Sequence, residues 1–218
     1  MNKRHSTKVK KIPTTATNSL RIIGGQWRSR KINFPSTEGL RPTPDRIRET
    51  LFNWLREDII GARCLDLFSG SGALGFEALS REAGLVAFVD NNRQVVEQVT
   101  KNCELLNAQN ALVFYSSAES WLKNPANQGI LYDIVFLDPP FRLKLIEPIC
   151  QLLSDYNFVH AGSKIYIEME AEGQGATLPF HWQQIRSKQA GQISYSLYEA
   201  KPLAGEGQEG ESPPNKLL

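Results

Sequence analysis

The segment CLDLFSGSGALG, residues 64–75, decides the fold of this chain. It begins with apolar residues typical of a buried strand, continues through a glycine-rich turn and ends in the first residues of a helix. Glycines let the backbone turn sharply and bring a ligand against the main chain at the carboxyl end of the strand. The segment therefore predicts a loop that binds a nucleoside.

Short apolar strands alternate with amphipathic helices downstream of this loop. The strands are predicted at residues 64–68, 85–90, 112–115, 134–138 and 164–168, and helices begin near residues 74, 93 and 145. This alternation indicates an α/β fold with a mostly parallel sheet and helices on both faces. Two final strands, at 182–187 and 193–198, are predicted to form an antiparallel hairpin that completes a seven-stranded sheet at its edge.

The chain is predicted to have four parts. Residues 1–18 form a disordered basic tail, and residues 19–60 form a small extension with a β-hairpin and a helix. In that extension, strands at 20–23 and 30–34 flank a glycine turn, and a helix at 42–60 is capped by Thr43. Residues 61–203 form the α/β domain, and residues 204–218 form a second disordered tail.

Charge is distributed unevenly along the 218 residues. Residues 1–37 contain nine basic and no acidic side chains, whereas the remainder contains 16 basic and 23 acidic ones. A basic arm on an acidic body favours partners rich in phosphate, although residues 1–18 alone are also consistent with a solubilising tail. The chain has no apolar run long enough to span a membrane and no signal-peptide core, so we predict a soluble, cytoplasmic protein. Its three cysteines lack metal-ligand spacing, and we expect no metal site.

The identity of the nucleoside depends on Asp66. Gly70, Gly72 and Gly75 satisfy the dinucleotide pattern G-x-G-x-x-G, so the glycines alone leave a nicotinamide or flavin enzyme open. A carboxylate at the strand end would repel a pyrophosphate, but it can pair with the ammonium group of a methionine moiety. We therefore predict that S-adenosylmethionine is the cofactor.

Further cofactor contacts are predicted at the ends of the next two strands. Asp90 follows an apolar strand and can accept bonds from both ribose hydroxyls; its alternative role is a helix cap. Ser117 and Ala118 are candidates for the adenine edge, or merely for the start of a helix. The remaining candidates line the turn or follow Asp90, namely Phe68, Ser69 and Asn91.

The segment DIVFLDPPF, residues 133–141, indicates the chemistry. It is a buried strand that stops at the same sheet edge as the glycine loop. The lone pair of an exocyclic base amine is delocalised into the ring, so methylation requires acceptors for its N–H protons. Asp138 and the carbonyl of Pro139 provide such acceptors, Pro140 adds rigidity, and Phe141 can stack on an extruded base. The alternative is a strand that simply ends in a proline-rich turn.

With these motifs in place, the chain resembles the bacterial 16S ribosomal RNA guanine-N2 methyltransferase family from about residue 20 to residue 200. The similarity is carried by RIIGG at 21–25, WRSR at 27–30, RPT at 41–43, Arg46, Arg48 and Glu49, the 66–75 loop and the 138–141 turn. It implies a Rossmann-like class I S-adenosylmethionine-dependent fold and methylation of one guanine N2 in the small ribosomal subunit by a monomer. It also implies that Asp66, Gly70 and Asp90 hold the cofactor. Ser117 departs from the acid or amide common in related methyltransferases.

The resemblance gives the basic N-terminal region a predicted task, which is to hold RNA phosphates while the base enters the pocket. The predicted RNA contacts are Arg28, Arg30, Lys31, Arg41, Thr43 and Arg46, with Arg48 either part of this rim or paired with Asp45 or Glu49. Trp27 is predicted either to stack on RNA or to be buried.

Three other functions remain open at this point. An adenine-N6 DNA methyltransferase shares the acid-Pro-Pro-aromatic turn, but this chain has no separate domain to read DNA. A protein glutamine methyltransferase typically carries Asn where this chain has Asp138. A non-catalytic RNA-binding assembly factor would have no need to retain Asp66, Gly72 and Asp138 together.

Overall fold

The structure is a computed structural model that describes residues 17–37, 42–140, 144–171 and 176–203. The N-terminal elements are β1 (Thr17–Arg21), β2 (Lys31–Pro35) and α1 (Asp45–Trp54). The central elements are β3 (Arg63–Asp66), α2 (Ala73–Ser80), β4 (Leu85–Asp90), α3 (Arg93–Leu106), β5 (Ala111–Tyr115) and α4 (Ala118–Lys123). A short 3-10 turn (Pro125–Asn127) precedes β6 (Tyr132–Leu137), α5 (Ile146–Asp155), β7 (Val159–Glu170), β8 (Trp182–Ala190) and β9 (Ile193–Ala200).

The main sheet has seven strands in the order β5-β4-β3-β6-β7-β9-β8. Strands β3 to β7 are parallel, whereas β9 pairs antiparallel with both β7 and β8. The sequence-based expectation of a mostly parallel sheet closed by an antiparallel hairpin is therefore confirmed.

Side chains along the central strands point alternately to the two faces of the sheet, so the apolar residues are divided between two cores. Cys64, Val86 and Ile134 face the core that contains α2, α3 and the N-terminal elements. Their neighbours in β3, β4 and β6 face the opposite core, with α4 and α5. Successive side chains of a strand point to opposite faces, so the run LVAFV of β4 is apolar throughout because both of its faces are covered.

The N-terminal extension is fastened to α2 through buried polar groups. Glu77, which is fully buried, accepts the main-chain N–H groups of Ile23 at 2.9 Å and Gly24 at 2.8 Å. The Ser80 hydroxyl accepts the N–H of Trp27 at 2.9 Å. Gly25 has a positive φ of 73°, and a Cβ there would overlap the Ser80 carbonyl. This close approach explains why a glycine occupies the turn.

Several sequence-based boundaries differ from the structure, and three of the differences concern the N-terminal part of the chain. Thr17 and Asn18 belong to β1, so the predicted disordered tail does not reach residue 18. The helix predicted at 42–60 spans only Asp45–Trp54, and turns follow it. Its N-cap is Pro44, which makes no side-chain cap bond, and the predicted cap Thr43 instead donates its hydroxyl to Asp138. The other predicted tail residues, 1–16 and 204–218, lie outside the described residues.

Among the described residues, no helix combines the length and the apolarity needed to cross a bilayer.

Candidate active site

The carboxyl ends of β4, β3 and β6 bring three acids to one edge of the sheet. These strands are neighbours in the order of the sheet, and they end in or just before Asp90, Asp66 and Asp138. The chain leaves β3 toward β4 on one side, whereas β6 lies on its other side. Such a switch in strand order opens a crevice at the carboxyl edge, the usual ligand site of α/β sheets.

Asp66 holds the glycine loop in shape. Its carboxylate is 3% exposed and accepts the N–H of Gly75 at 3.1 Å, and the N–H of Phe68 lies within reach as well. Burial raises the pKa of Asp66 to about 8, and the charges of Asp138 and Asp90 add to this rise. The group is therefore tied to the main chain of the loop, and the predicted bond to a ligand ammonium remains a proposal.

Asp90 connects the loop to the end of β4. Its Oδ2 accepts the N–H of Gly70 at 2.8 Å, and its Oδ1 accepts the N–H of Asn92 at 2.8 Å. Burial raises the pKa of Asp90, although the bonds from the main chain oppose that rise. Asn92, whose Oδ1 accepts the N–H of Gln94, is the N-cap of α3, so the alternative that Asp90 is the helix cap is wrong.

The predicted loop residues Gly72, Gly75 and Ser69 each have a local structural role. Gly72 has a φ of 74° and is the N-cap of α2, where a side chain would also overlap the Phe76 ring. Gly75 packs against Phe88, leaving no room for a Cβ. Ser69 is buried, with its hydroxyl bonded to main-chain carbonyls. Gly75 and Ser69 thus also support the loop, and their predicted contacts with the cofactor stay predictions.

Ser117 caps a helix, as its alternative interpretation had it. Its Oγ accepts the N–H of Ser120 at 3.1 Å at the start of α4, and Ala118 is buried. The Ser117 hydroxyl is thus engaged in the cap, and the predicted contacts of Ser117 and Ala118 with the adenine edge stay predictions. Phe68 is half-buried and Asn91 is exposed at the same edge of the sheet.

Asp138 lies at the end of β6, beside the N-terminal extension. Its Oδ2 accepts the Thr43 hydroxyl at 3.2 Å. Burial raises the pKa of Asp138 to about 6, and the Thr43 bond opposes this rise. The carboxylate is therefore mostly ionised at pH 7. Pro139 is buried and Pro140 is exposed, while Phe141 lies outside the described residues, so its predicted stacking stays a prediction.

Sequence reasoning missed a second acid next to Asp138. Leu137 of β6 pairs with Ile167 of β7, which places Glu168 beside Asp138. Glu168 is 2% exposed, its Oε1 accepts the Tyr166 hydroxyl at 2.7 Å, and burial raises its pKa to about 8. The sequence does contain a sign of Glu168, which is an acid within the apolar run IYIEM. An acidic residue at a buried strand position needs a hydrogen-bonding or charged partner.

The predicted basic rim is only partly on the surface. Arg28, Arg30, Lys31 and Arg46 are exposed, and Arg30 donates to the Leu105 carbonyl at 2.9 Å. Arg41 lies outside the described residues. Thr43, predicted to contact RNA, is buried against Asp138, since its hydroxyl finds that acceptor.

Arg48 and Trp27, the two remaining candidates for RNA contact, are buried. Arg48 is 1% exposed; it pairs with Asp45 at 2.7 Å and with Glu77 at 3.5 Å, and it donates to the Arg21 carbonyl. A guanidinium without solvent access cannot bind phosphate, which removes Arg48 from the rim. Trp27 is buried, in agreement with the second of its two predicted roles.

The site fits S-adenosylmethionine in its backbone shape and its charges. Gly72 provides a left-handed turn without a side chain, and Asp90 lies at the strand end where ribose hydroxyls are usually bound. Asp90 ends β4 on one side of β3, and Asp138 follows β6 on the other side, where it places an ionised acceptor. The arrangement can hold a nucleoside next to an acceptor for an amino group.

Comparisons with known proteins agree with this geometry. Residues 20–199 match the family model described as conserved hypothetical protein 95. Ribosomal RNA small subunit methyltransferase D of Escherichia coli strain K12 is 48% identical over 191 residues, which cover 88% of this chain and 95% of the relative. The solved methyltransferase yhhF from Escherichia coli is 44% identical with a TM-score of 0.78, covering 85% of this chain and all of that one.

A more distant structure bears on the fold alone. An RNA methyltransferase from Salinibacter ruber, solved in complex with S-adenosyl-L-homocysteine, is 13% identical with a TM-score of 0.54, covering 78% of this chain and all of that one. The fold is thus the Rossmann-like fold of S-adenosylmethionine-dependent methyltransferases, and S-adenosylmethionine is the cofactor expected of it. By the family match and by its identity to these relatives over most of its length, the chain belongs to the ribosomal RNA small subunit methyltransferase D family.

Proposed function

We propose that this protein transfers a methyl group from S-adenosylmethionine to the exocyclic N2 of one guanine in 16S ribosomal RNA, within the small subunit or its assembly intermediate. The observation that carries the proposal is the position of Asp138, an ionised acceptor at the sheet edge next to the glycine loop. The names of the relatives support ribosomal RNA as the substrate. We further propose that the protein acts as a monomer in the cytoplasm.

The cofactor would be held by the loop between β3 and α2 and by the end of β4. Asp90 would accept the ribose hydroxyls, while Gly70 and Gly72 would bring the main chain close to the ligand. Asp66, Phe68 and Asn91 line the same edge and complete the proposed set. When bound there, S-adenosylmethionine supplies an electrophilic methyl group.

The base would be held at the end of β6. The Asp138 carboxylate and the Pro139 carbonyl would accept the two N–H bonds of the amino group, localising the nitrogen lone pair in the direction of attack. Among the described residues, the Thr43 hydroxyl bonds to Asp138 Oδ2, so Oδ1 is the oxygen that we assign to the base. Burial of Pro139 keeps the turn fixed while the base enters.

RNA would be held electrostatically by the exposed basic side chains of the N-terminal extension, Arg28, Arg30, Lys31 and Arg46, together with Arg41. Arg46 lies in the first turn of α1, three residues after Thr43, the residue that contacts Asp138, and we propose that it brings a positive charge toward the base site. The extension would therefore bind phosphates and also complete the catalytic edge.

Transfer of labelled methyl from S-adenosylmethionine to small subunits that lack the modification tests the proposal directly. Nucleoside analysis of the RNA should place the label in N2-methylguanosine. Label in N6-methyladenine would favour the adenine-N6 alternative, and measurable cofactor binding with no transfer would favour a non-catalytic assembly factor.

The division of roles is tested by Asp138→Ala. This variant should lose methyl transfer while its affinity for S-adenosylmethionine, measured by calorimetry, stays within a few-fold, because the Asp138 bonds are made to the base. Asp155→Ala, an exposed acid at the end of α5, is the matched control. Loss of cofactor binding in Asp138→Ala would refute this division.

A further inference from the structure

Four side chains from three parts of the fold form a connected polar group at the ends of β6 and β7. The Thr43 hydroxyl, which precedes α1, donates to Asp138 Oδ2 at 3.2 Å. The Tyr166 hydroxyl donates to Glu168 Oε1 at 2.7 Å. The strand register places Glu168 beside Asp138, and the Thr43 hydroxyl lowers the pKa of Glu168 as well. One hydroxyl group thus lies next to two neighbouring carboxyl groups.

We propose that Glu168 is a positioning residue of the methyl-transfer site, acting through a hydrogen-bond chain from Tyr166 through Glu168 and Thr43 to Asp138. The chain fixes the carboxylate of Asp138 so that one of its oxygens faces the target amino group. This inference rests on the proposed function, in which Asp138 accepts the amino protons. Glu168 is 2% exposed, so it acts through Thr43 and does not touch the base.

The number of available protons determines which group donates and which accepts along this hydrogen-bond chain. If both carboxyl groups were ionised, four oxygens would share two hydroxyl protons, and Thr43 could donate to only one of its two acid neighbours. A protonated Glu168 supplies a third donor. Glu168 then donates to Thr43, Thr43 donates to Asp138 Oδ2, and each bond polarises the next toward the ionised acid. Asp138 Oδ1 is left for the base.

The surroundings of the two acids favour a proton on Glu168. Burial raises the pKa of Glu168 to about 8 and that of Asp138 to about 6, and the charge on Asp138 further raises the pKa of Glu168. The other titratable groups that face the pair are Tyr166 on the same strand, Tyr195 opposite Glu168 on β9, and Asp66 on β3. Within the described ranges, no basic side chain forms an ion pair with either acid. The bonds from Tyr166 and Thr43 oppose the rise in the pKa of Glu168, but burial outweighs them. The proposal therefore places one proton on Glu168 and the negative charge on Asp138.

The test is the pH profile of methyl transfer under single-turnover conditions. The wild-type rate should rise through pH 6 as Asp138 ionises and fall above pH 8 as Glu168 ionises and competes for the Thr43 proton. Glu168→Gln can still donate to Thr43 but cannot ionise, so it should keep the acid limb and lose the alkaline limb.

Thr43 provides a second variant that does not remove a buried acid. Thr43→Val keeps the shape but removes the donor to Asp138, so the acid limb should move to higher pH by about half to one unit. Thr43→Ser restores the hydroxyl and should restore the wild-type profile. Thr50→Val is the matched control, because the Thr50 hydroxyl is bonded only to the Arg46 carbonyl of its own helix.

An alkaline limb that persists in Glu168→Gln would overturn the proposal and point to Asp66, whose pKa is also about 8. So would a Thr43→Val acid limb at the wild-type position. A readout independent of transfer separates this inference from the proposed function. The infrared band of a protonated carboxylic acid should lose intensity at pH 7 in Glu168→Gln, relative to wild type. A weaker band together with absent guanine methylation would refute only the proposed function, whereas a band of unchanged intensity would refute the hydrogen-bond chain.

Discussion

Replacing Glu77 with alanine should lower the free energy of unfolding by about 3–4 kcal/mol. The carboxylate is fully buried, and its loss leaves the Arg48 guanidinium, 1% exposed, without one of its two acidic partners. Removing one member of a buried ion pair typically costs about 3–5 kcal/mol. The lower part of that range applies because Arg48 keeps its 2.7 Å contact with Asp45. The N–H groups of Ile23 and Gly24 lose their acceptor in this variant as well.

For a domain of this size the loss corresponds to a melting temperature lower by about 6–15 °C. Urea unfolding followed by circular dichroism measures the free energy, and a thermal melt gives the second estimate. Glu97→Ala is the matched control: Glu97 is a surface glutamate paired with Arg93 at 2.9 Å, and its removal should change stability by less than about 0.5 kcal/mol. If Glu77→Ala were no less stable than this control, the buried anchor would not hold the extension on α2.

Three further predictions concern the loop, the buried acid and the RNA surface. Gly75→Ala should destabilise the protein by about 1–3 kcal/mol in urea unfolding, because a Cβ overlaps the Phe88 ring; wild-type stability would contradict the packing. Burial raises the pKa of Asp66 from 3.8 to about 8, so the native state binds this proton more tightly and the free energy of unfolding falls as pH rises from about 4 to 8. Asp66→Asn should reduce the melting-temperature difference between pH 5 and pH 8, and an unchanged difference would show that Asp66 does not titrate in this range. Arg28→Ala should weaken RNA binding and lower the salt-dependence slope by about 1, measured by filter binding, whereas Arg93→Ala should leave the slope unchanged.

The framework of the fold could be predicted from local patterns. The glycine loop, the alternation of strands with helices and the C-terminal hairpin depend on periodicity and turn residues within short windows, and the structure retains all of them. The acids that end β3, β4 and β6 could be placed at one edge because parallel strands share their direction.

The supporting contacts could not be predicted, because they depend on residues far apart in the sequence. Thr43 had the local pattern of a helix cap, yet its hydroxyl bonds to Asp138, 95 positions away. Arg48 had the pattern of a surface helix residue, but packing of the extension on α2 buries it against Glu77. Glu168 is identifiable as a partner of Asp138 only once the β6–β7 register is known.

The placement of β6 between β3 and β7 has a consequence for folding during synthesis. β3 and β4 can pair as soon as they leave the ribosome, but the other edge of β3 waits for β6, about 70 positions later in the chain. Until then the apolar β3 edge lacks its partner, and such edges attract wrong pairings. Closing this distant pair is also an intrinsically slow step. Asp138 therefore reaches the sheet edge only with the late strand, so a nascent chain with a complete glycine loop still lacks the proposed acceptor for the base.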